Sequence, residues 1–426
     1  MWVNFGDIVE NAYLCSMKNE DIFTLALGLT SPWEVTEVQF LTEEDGNRTL
    51  HIHIGFQRGA SFLNDAGKAV KAYDTEEKQW RHLNFFQHEC YIHCRVPRIP
   101  MADGKMRMVS VPWARPKSGF TLLFEAYAML LIEGEMPVAT VAETTKETAP
   151  RIWRVFRHWI EKARTDLSFA SVTRIGVDET SSRKGHRYIT NFVDLDTHAL
   201  LFSVEGKGFE TFTAFVKELE ARGGKRENIQ VVSMDMSPSF FAGYMEYFPT
   251  AALVFDKFHI IKALNKALDD IRKNEANSKQ SIKRYRFMLL KSSKNLNQAE
   301  RERLQTVFVS YPGLGQAYAF REGFNDLFSC STPKESIDYL KDWCAEVGKT
   351  TLAPLKQFVN LIKAHWRGVT TLFTHPGVNN GILEGINQKI QLAKRRARGY
   401  TDIDNFINMA YLMCGKLNLI YPHKTL

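Results

Sequence analysis

The segment from Val172 to His259 limits the possible fold more than any other part of this chain. Three short strand-like runs come first, "TRIGVDE", "HRYITNFVDLD" and "ALLFSVEG", followed by a helical stretch, "ETFTAFVKELEARG". A buried run in "NIQVVSMDMSPSF" comes next, then a helix opened by Pro238, then "AALVFDKFHIIKAL". Short turns between the first three runs predict antiparallel neighbours, and strand–helix–strand connections predict parallel ones. The order therefore predicts an α/β fold built on a mixed five-stranded sheet, and it allows the first and fourth strands to lie side by side.

That adjacency would bring together Asp178 and Asp235, each at the end of an apolar run. Two carboxylates a few ångströms apart repel each other unless a cation lies between them. A hard divalent ion, Mg²⁺ or Mn²⁺, fits that role, because it takes oxygen ligands and keeps positions open for phosphate and water. A pair of such ions can serve an in-line displacement at phosphorus. Either aspartate alone is equally well read as a helix cap. A third carboxylate should arrive from a helix, and "THPGVNNGILEGINQKIQLAKRRARGYTDIDNF" offers Glu384, in a helix expected to open near Asn379–Asn380. Lys389, Lys394, Arg395, Arg396 and Arg398 follow, before Gly399 ends the helix. At helical spacing Lys394 and Arg398 share a face, which would hold a phosphate beside Glu384. Arg183 and Lys184, in the basic loop after Asp178, are further candidates for backbone contact.

Upstream, helices are expected from about Thr121 to Leu131, ending near Gly134, from Val138 to Thr144, and after "TKETAP", with Pro150 in the first turn. In the third, Ile152, Val155, Phe156 and Ile160 make an apolar stripe, while Arg151, Arg154, Arg157, Lys162 and Arg164 occupy much of the rest. A helix-turn-helix needs one packed face and one that carries cations to a groove. A solvated basic helix is the plainer alternative. Residues 1–105 read as strand-rich, with alternation in "EVQFLTEE", "TLHIHIGFQ" and "CYIHCRVPRI". His51, His53, His88, Cys90, His93 and Cys94 lie in such runs without any CxxC, so they read as strand partners rather than a zinc site. The six cysteines, Cys15 among them, are too few and too scattered for a disulfide framework in 426 residues and read as reduced thiols. No secretory signal and no membrane-length apolar run is present, and the net charge of +7 suits a polyanionic partner.

With these residues in view, the chain resembles the DDE transposases of bacterial insertion sequences, in the ISL3 family. The likeness rests on "IGVDETSSRKGHRYIT", "VVSMDMSPSF", "LVFDKFHIIKALNKALD" and "NNGILEGINQKIQLAKRRARGYTDIDNF", in that order. The resemblance implies a ribonuclease-H-like catalytic core with Asp178, Asp235 and Glu384 as a triad for two Mg²⁺ or Mn²⁺ ions. It also implies strand cleavage and transfer at terminal inverted repeats. Asp256 and His259, in "DKFH", would support that site. Expected partners are double-stranded DNA and further copies of the chain in a synaptic dimer or larger assembly, with no membrane. The expected location is the bacterial cytoplasm, at the nucleoid.

The expected organisation is a strand-rich module (1–105), a helix-turn-helix (106–168), the first part of the core (169–271), a helical insertion (272–370) and the glutamate segment (371–426). The departure lies at "SFLNDAGK" and "RIPMADGK", where the family's zinc knuckles would stand and no cysteine is found. That puts zinc in doubt. Two other functions stay compatible with the sequence: a DNA-binding relative that no longer cuts, and a structure-specific nuclease on the same fold.

Overall fold

In the computed structural model, the described residues are 18–44, 46–276, 280–375, 377–378 and 381–421. Cys15 and the Asn379–Asn380 helix opening lie outside them. The chain forms two compact units, residues 18–159 with 418–421, and residues 160–417. No helix among the described residues is long and apolar enough to cross a membrane.

The first unit begins with α1 (Asn19–Ala26) and is built on a sheet of β1 (Trp33–Thr42), β2 (Arg48–Phe56), β6 (His88–Pro100) and β5 (Asp74–Phe85), in that order. The short β7 (Met106–Met108) pairs with β6, and β3 (Ser61–Leu63) pairs with β4 (Ala69–Lys71). Period-two alternation divides the histidines from the cysteines. Leu50, Ile52, Ile54, Cys90, Ile92 and Cys94 enter a core with Trp33, Trp80 and Trp113. Burial pushes both thiols up to about 12. The alternate residues His51, His53 and His93 stack on the other face, with centroids 5.0 Å (His51–His93) and 4.7 Å (His53–His93) apart.

The two turns that stand where zinc knuckles were expected are tight reversals, with Gly67 at φ +71° and Gly104 at φ +75°. They are joined by a bond from the Ala102 N–H to Asp65 Oδ1, 2.8 Å. Three helices follow: α2 (Leu122–Glu133), capped by the Thr121 hydroxyl, α3 (Val138–Thr144) and α4 (Ala149–Thr165).

The second unit carries the sheet predicted from the strand order. β10 (Leu200–Glu205), β9 (Arg187–Asp194), β8 (Arg174–Arg183), β11 (Val231–Met234) and β12 (Ala252–Phe255) lie side by side in that sequence. The first three are antiparallel; β8–β11 and β11–β12 are parallel. One face, with Val177, Phe192, Val232 and Met234, packs under α5 (Phe209–Ala221) and α6 (Pro238–Tyr247) through Phe212, Phe215 and Phe240. After β12 comes the long α7 (Lys257–Ala276), then a helical segment of α8 (Arg286–Leu290), α9 (Gln298–Ser310), α10 (Pro312–Asp326), α11 (Pro333–Lys349) and α12 (Ala353–Ala364). The chain returns to the sheet through α13 (Trp366–Thr374), α14 (Gly381–Arg396) and α15 (Ile403–Cys414).

The imidazoles of the first unit make it sensitive to acid. Burial holds His82 down to about 4, and burial with mutual repulsion holds His51 and His93 below the ordinary range. The unfolded chain takes up protons near pH 6.5 that these folded groups refuse, so their stabilisation is complete above that pH and is lost as pH falls toward 4. For His82 alone the full difference is about 3 kcal/mol. Lowering the pH from 7 to 5 is expected to depress the melting temperature of the wild type by roughly 4–8 °C more than that of His82→Gln. Thermal denaturation of the whole chain, followed by tryptophan emission, measures this; equal shifts would refute it.

Candidate active site

The face of the second sheet opposite α5 and α6 is set by the same period of two. Gly176, Asp178 and Thr180 on β8 project to this side, as do Asn191 on β9 and Ser203 on β10 by their contacts. β11 pairs with β8 at Val231–Arg174, Val232–Ile175 and Ser233–Gly176, a constant offset of 57 (231 − 174). Continued two residues, that register sets Asp235 beside Asp178 (235 − 178 = 57). The sequence expected a strand that ends on Asp178. Instead β8 continues to Arg183, because its other edge stays paired with β9; what stops after Gly176 is the pairing with β11.

α14 lies along β8 and runs in the same direction. Leu383 occupies the space over Gly176, where an added Cβ would fall 2.9 Å from Leu383 Cδ1. Asn387 Nδ2 donates to Asp178 Oδ2 at 2.7 Å, and Gln391 Nε2 donates to the Ser181 carbonyl at 2.8 Å. Lys394 Nζ donates to the same carbonyl at 2.7 Å. Residues 387, 391 and 394 thus form one stripe at helical spacing, and Glu384 is its next member toward the N-terminus. Glu384 lies about 4.5 Å along the axis from Asn387. Its side chain is exposed and accepts a hydrogen bond from Gln388 Nε2 at 3.1 Å.

The aspartates form an electrostatic cluster with one histidine. Burial raises Asp178 to about 6; the backbone N–H of Glu179 and nearby His259 oppose the shift, and the charges of Asp235 and Asp256 add to it. Asp235 Oδ1 caps the Ser237 N–H at 2.9 Å, at the start of α6. Asp256 sits at the start of α7, where Oδ1 accepts from the Phe258 N–H and Oδ2 pairs with His259 Nδ1, both at 2.9 Å. His259 is raised, chiefly by that bond and further by the charges of Asp256, Asp235 and Asp178. Among the described residues no three His, Cys, Asp or Glu side chains come close enough together to hold one metal ion. The structure therefore couples Asp178, Asp235, Asp256 and His259 electrostatically, with direct contact only between Asp256 and His259 among them, and holds Glu384 on the adjoining stripe with its carboxylate turned to Gln388.

The carboxylates are the oxygen donors that a hard divalent cation takes, although no three of them among the described residues are grouped to hold one. Asp178 is buried, with the charges of Asp235 and Asp256 adding a smaller push, and a cation beside it would offset both effects on its pKa.

The candidate DNA contacts divide by environment. Arg154 and Lys162 are exposed on α4, and Arg157 is half-buried with Nε toward the Trp153 carbonyl. Arg151 pairs with Glu147 at 2.5 Å and lies over the Phe120 ring. Arg164 stacks on Tyr411, 3.8 Å from its centroid, and donates to its hydroxyl, so its guanidinium is engaged in the second unit's packing. Lys184 is exposed at the β8–β9 turn, while Arg183 Nε reaches the Tyr400 carbonyl at 3.2 Å.

Arg395 is exposed in the last turn of α14. Arg398 does not continue the helical face of Lys394, as the sequence reading had it. The Gly399 N–H closes on the Lys394 carbonyl at 2.9 Å, and Arg398, at φ +56°, is the left-handed residue of that terminating turn. Sequence reasoning missed Asn387 and Gln391; their spacing of three and seven residues from Glu384 was the available signal.

Comparison with known proteins gives a consistent result. A family model described as "Transposase", for the DDE transposases of the ISL3 type, matches residues 175–410. Another, described as "Helix-turn-helix domain of transposase family ISL3", matches residues 109–160. The chain is 26% identical over 382 residues to the transposase for insertion sequence element IS1001 of Bordetella parapertussis, covering 85% of this chain and 91% of that protein. It is 25% identical over 433 residues to the transposase for insertion sequence element IS1557 of Mycobacterium tuberculosis (strain ATCC 25618 / H37Rv), covering 93% and 96%.

The raised pKa of Asp178 has a measurable consequence. A carboxyl whose folded pKa lies above its unfolded value adds stability below about pH 4, and that stability is lost as pH rises through 6. By pH 7 the ionised group costs the metal-free fold about 3 kcal/mol. Asp178→Asn removes the charge, at a pH-independent loss where the new amide meets the Asn387 and Glu179 donors. In EDTA, its melting temperature relative to wild type is expected to climb by roughly 3–8 °C between pH 4 and pH 7.5. A difference that does not change with pH would contradict the burial reading.

Proposed function

The chain belongs to the ISL3 family of DDE transposases, the transposases of insertion sequence elements, and on that premise we propose that it cleaves and rejoins DNA at its element's terminal inverted repeats. The observation that supports the reading is the parallel register of β8 and β11, which, continued two residues, would set Asp235 beside Asp178, together with the bond from Asn387 on the Glu384 helix to Asp178. The family implies a divalent metal. In this reading Asp178, Asp235 and Glu384 hold two Mg²⁺ or Mn²⁺ ions. Such ions, when bound, supply an activated oxygen nucleophile and charge neutralisation at the phosphorus.

The chain's own residues do the rest. Asn387 fixes the orientation of the Asp178 carboxylate, and in this reading the exposed Glu384 side chain turns toward it when metal binds. Asp256 bonds His259 Nδ1 and favours its protonated form, beside the reacting phosphate. The helix-turn-helix implies DNA binding; Arg154, Arg157 and Lys162 on α4 are proposed to face the groove, with Lys184 and Arg395 nearer the cut. Two ends must be joined in one reaction, which calls for a dimer or larger assembly. The proposed location is the bacterial cytoplasm, on the nucleoid.

The test uses a duplex carrying the inverted repeats that flank the reading frame, with Mg²⁺. Alanine at Asp178, Asp235 or Glu384 is expected to cut cleavage by more than about 100-fold while leaving duplex affinity at fixed salt within about 3-fold. Asn387→Ala, which removes only the group that orients Asp178, should cost about 10–100-fold. Normal cleavage by Asp235→Ala would overturn the assignment. Tight, salt-sensitive binding without cleavage by the wild type in Mg²⁺ or Mn²⁺ would instead identify a relative that binds ends and no longer cuts them.

A further inference from the structure

Beside the carboxylate cluster, α7 borders a groove of about 650 Å³ that begins at Asp235 and His259 and runs past Lys262, Lys266, Lys273 and Arg286. The helix is amphipathic in the strict sense. Ile260, Leu264, Ala267, Leu268 and Ile271 are buried, while His259, Lys262, Lys266, Asp269 and Lys273 recur at spacings of three and four along the groove side. From Lys262 to Lys273 the stripe is about 16 Å long. That is the axial length of about five nucleotides of one B-form strand.

The charge on this stripe is only partly balanced by neighbouring acids, which pair with Lys273. Lys262 and Lys266 are exposed, and neither is in a salt bridge among the described residues. Asp269 is the acid within the cationic part of the groove, and it is shared between Arg272 at 2.8 Å, Lys273 at 3.1 Å and Arg286 at 3.5 Å. Asp270 also pairs with Lys273, at 3.0 Å, so two carboxylates hold Arg272, Lys273 and Arg286 in position while Lys262 and Lys266 stay outside these pairs. An ordinary solvated helix face would interleave acids and bases at i, i+4. That pattern holds at the far end, where Asp269 and Lys273 pair at i, i+4, and is missing between His259 and Lys266, a stretch that contains no acid.

We propose that this groove is a second DNA contact of the chain, one that takes the sugar–phosphate backbone of the strand running on from the phosphate at the carboxylate cluster. The inference rests on the function proposed above. A ligand that reacts at Asp235 and continues into the groove must be a polyanion with repeated charges, and a phosphodiester strand is that ligand. Contacts of this kind position the strand and carry no sequence information, which suits flexible lysines. They would also set the salt dependence of binding separately from the helix-turn-helix.

The test is brief lysine acetylation of the full-length protein, read residue by residue by mass spectrometry, with and without a 40-base-pair duplex carrying one inverted repeat. Lys262, Lys266 and Lys273 are expected to be modified at least about 5-fold less in the presence of the duplex. Lys341 and Lys349, exposed on α11, serve as unprotected references. Replacing Lys266 and Lys273 together by Gln should make the slope of log affinity against log salt shallower by about 2. Cleavage of the same duplex in Mg²⁺ is measured alongside.

Equal modification with and without duplex would overturn the groove assignment, whether or not the duplex is cut. Protection without any cleavage would uphold the groove and overturn the catalytic reading. Protection by a mononucleotide at equal phosphate concentration, matching that by the duplex, would overturn the assignment to a strand.

Discussion

A carboxylate held out of water on a sheet face is the constraint around which the second unit is arranged. Asp178 is costly to ionise there, and its neighbours Asp235 and Asp256 add to the cost. The fold answers with hydrogen bonds rather than a paired cation. Asp178 Oδ1 accepts from the Glu179 N–H at 2.8 Å and Oδ2 from Asn387 at 2.7 Å. Asn387 is itself oriented, because its Oδ1 accepts from Asn191 Nδ2 at 3.1 Å, and Asn191 Oδ1 accepts from the Ser203 hydroxyl at 2.8 Å. Flipping either amide would set donor against donor or acceptor against acceptor along this chain. Polar groups from β10, β9 and α14 thus converge on one carboxylate orientation, and the charge it carries is left for a ligand to neutralise.

That arrangement requires close contact between a helix and a strand 200 residues apart in sequence. Gly176 supplies it: the missing side chain lets Leu383 sit against β8, and from that point the helix and strand run in parallel with Asn387, Gln391 and Lys394 as cross-links. The intervening helical segment packs through Phe324, Trp343 and Phe358 into the core that it shares with the sheet. It returns the chain to the sheet at α13, where Gly368 allows close approach to Phe255 on β12. Lys394 illustrates a trade within this scheme. A side chain that reads as a free phosphate contact donates to the strand, and burial lowers its pKa.

The five-stranded sheet, with its first and fourth strands free to be neighbours, was legible because it follows from local patterns: apolar runs, short turns and strand–helix–strand connections. The three helices around residues 122–165 were legible for the same reason, since Thr121, Gly134 and Pro150 mark their limits. What stayed hidden depends on three-dimensional pairing. The continuation of β8 beyond Asp178 is set by its partner β9, and the segment "ETSSR" alone looks like a loop. The engagement of Arg164 with Tyr411 joins residues 247 positions apart, and no spacing rule anticipates it. Asn387 is the instructive case. The sequence reading passed over it, yet at three residues from Glu384 it had to share that residue's face.

The N-terminal module shows how much a change of fastening shifts onto packing. A structural zinc contributes on the order of 10 kcal/mol to a small domain, whereas a hydrogen bond between two turns contributes about 1 kcal/mol. The Asp65–Ala102 bond can therefore set the spacing of the two reversals and cannot carry the unit's stability. That role falls to aromatic burial. Trp113 meets Trp33 at 5.1 Å and Trp80 at 5.7 Å, both edge to face, and Phe56 and Phe62 extend the group around Trp33. Each such ring buries about 150–250 Å² and gains about 0.5–1.5 kcal/mol more from the edge-to-face contact. Four or five of them match what thiolates and a metal would supply. Aromatic contacts, however, lack the directional rigidity of tetrahedral ligands, so the shape of this module is fixed by the register of β2, β5 and β6 rather than at its turns.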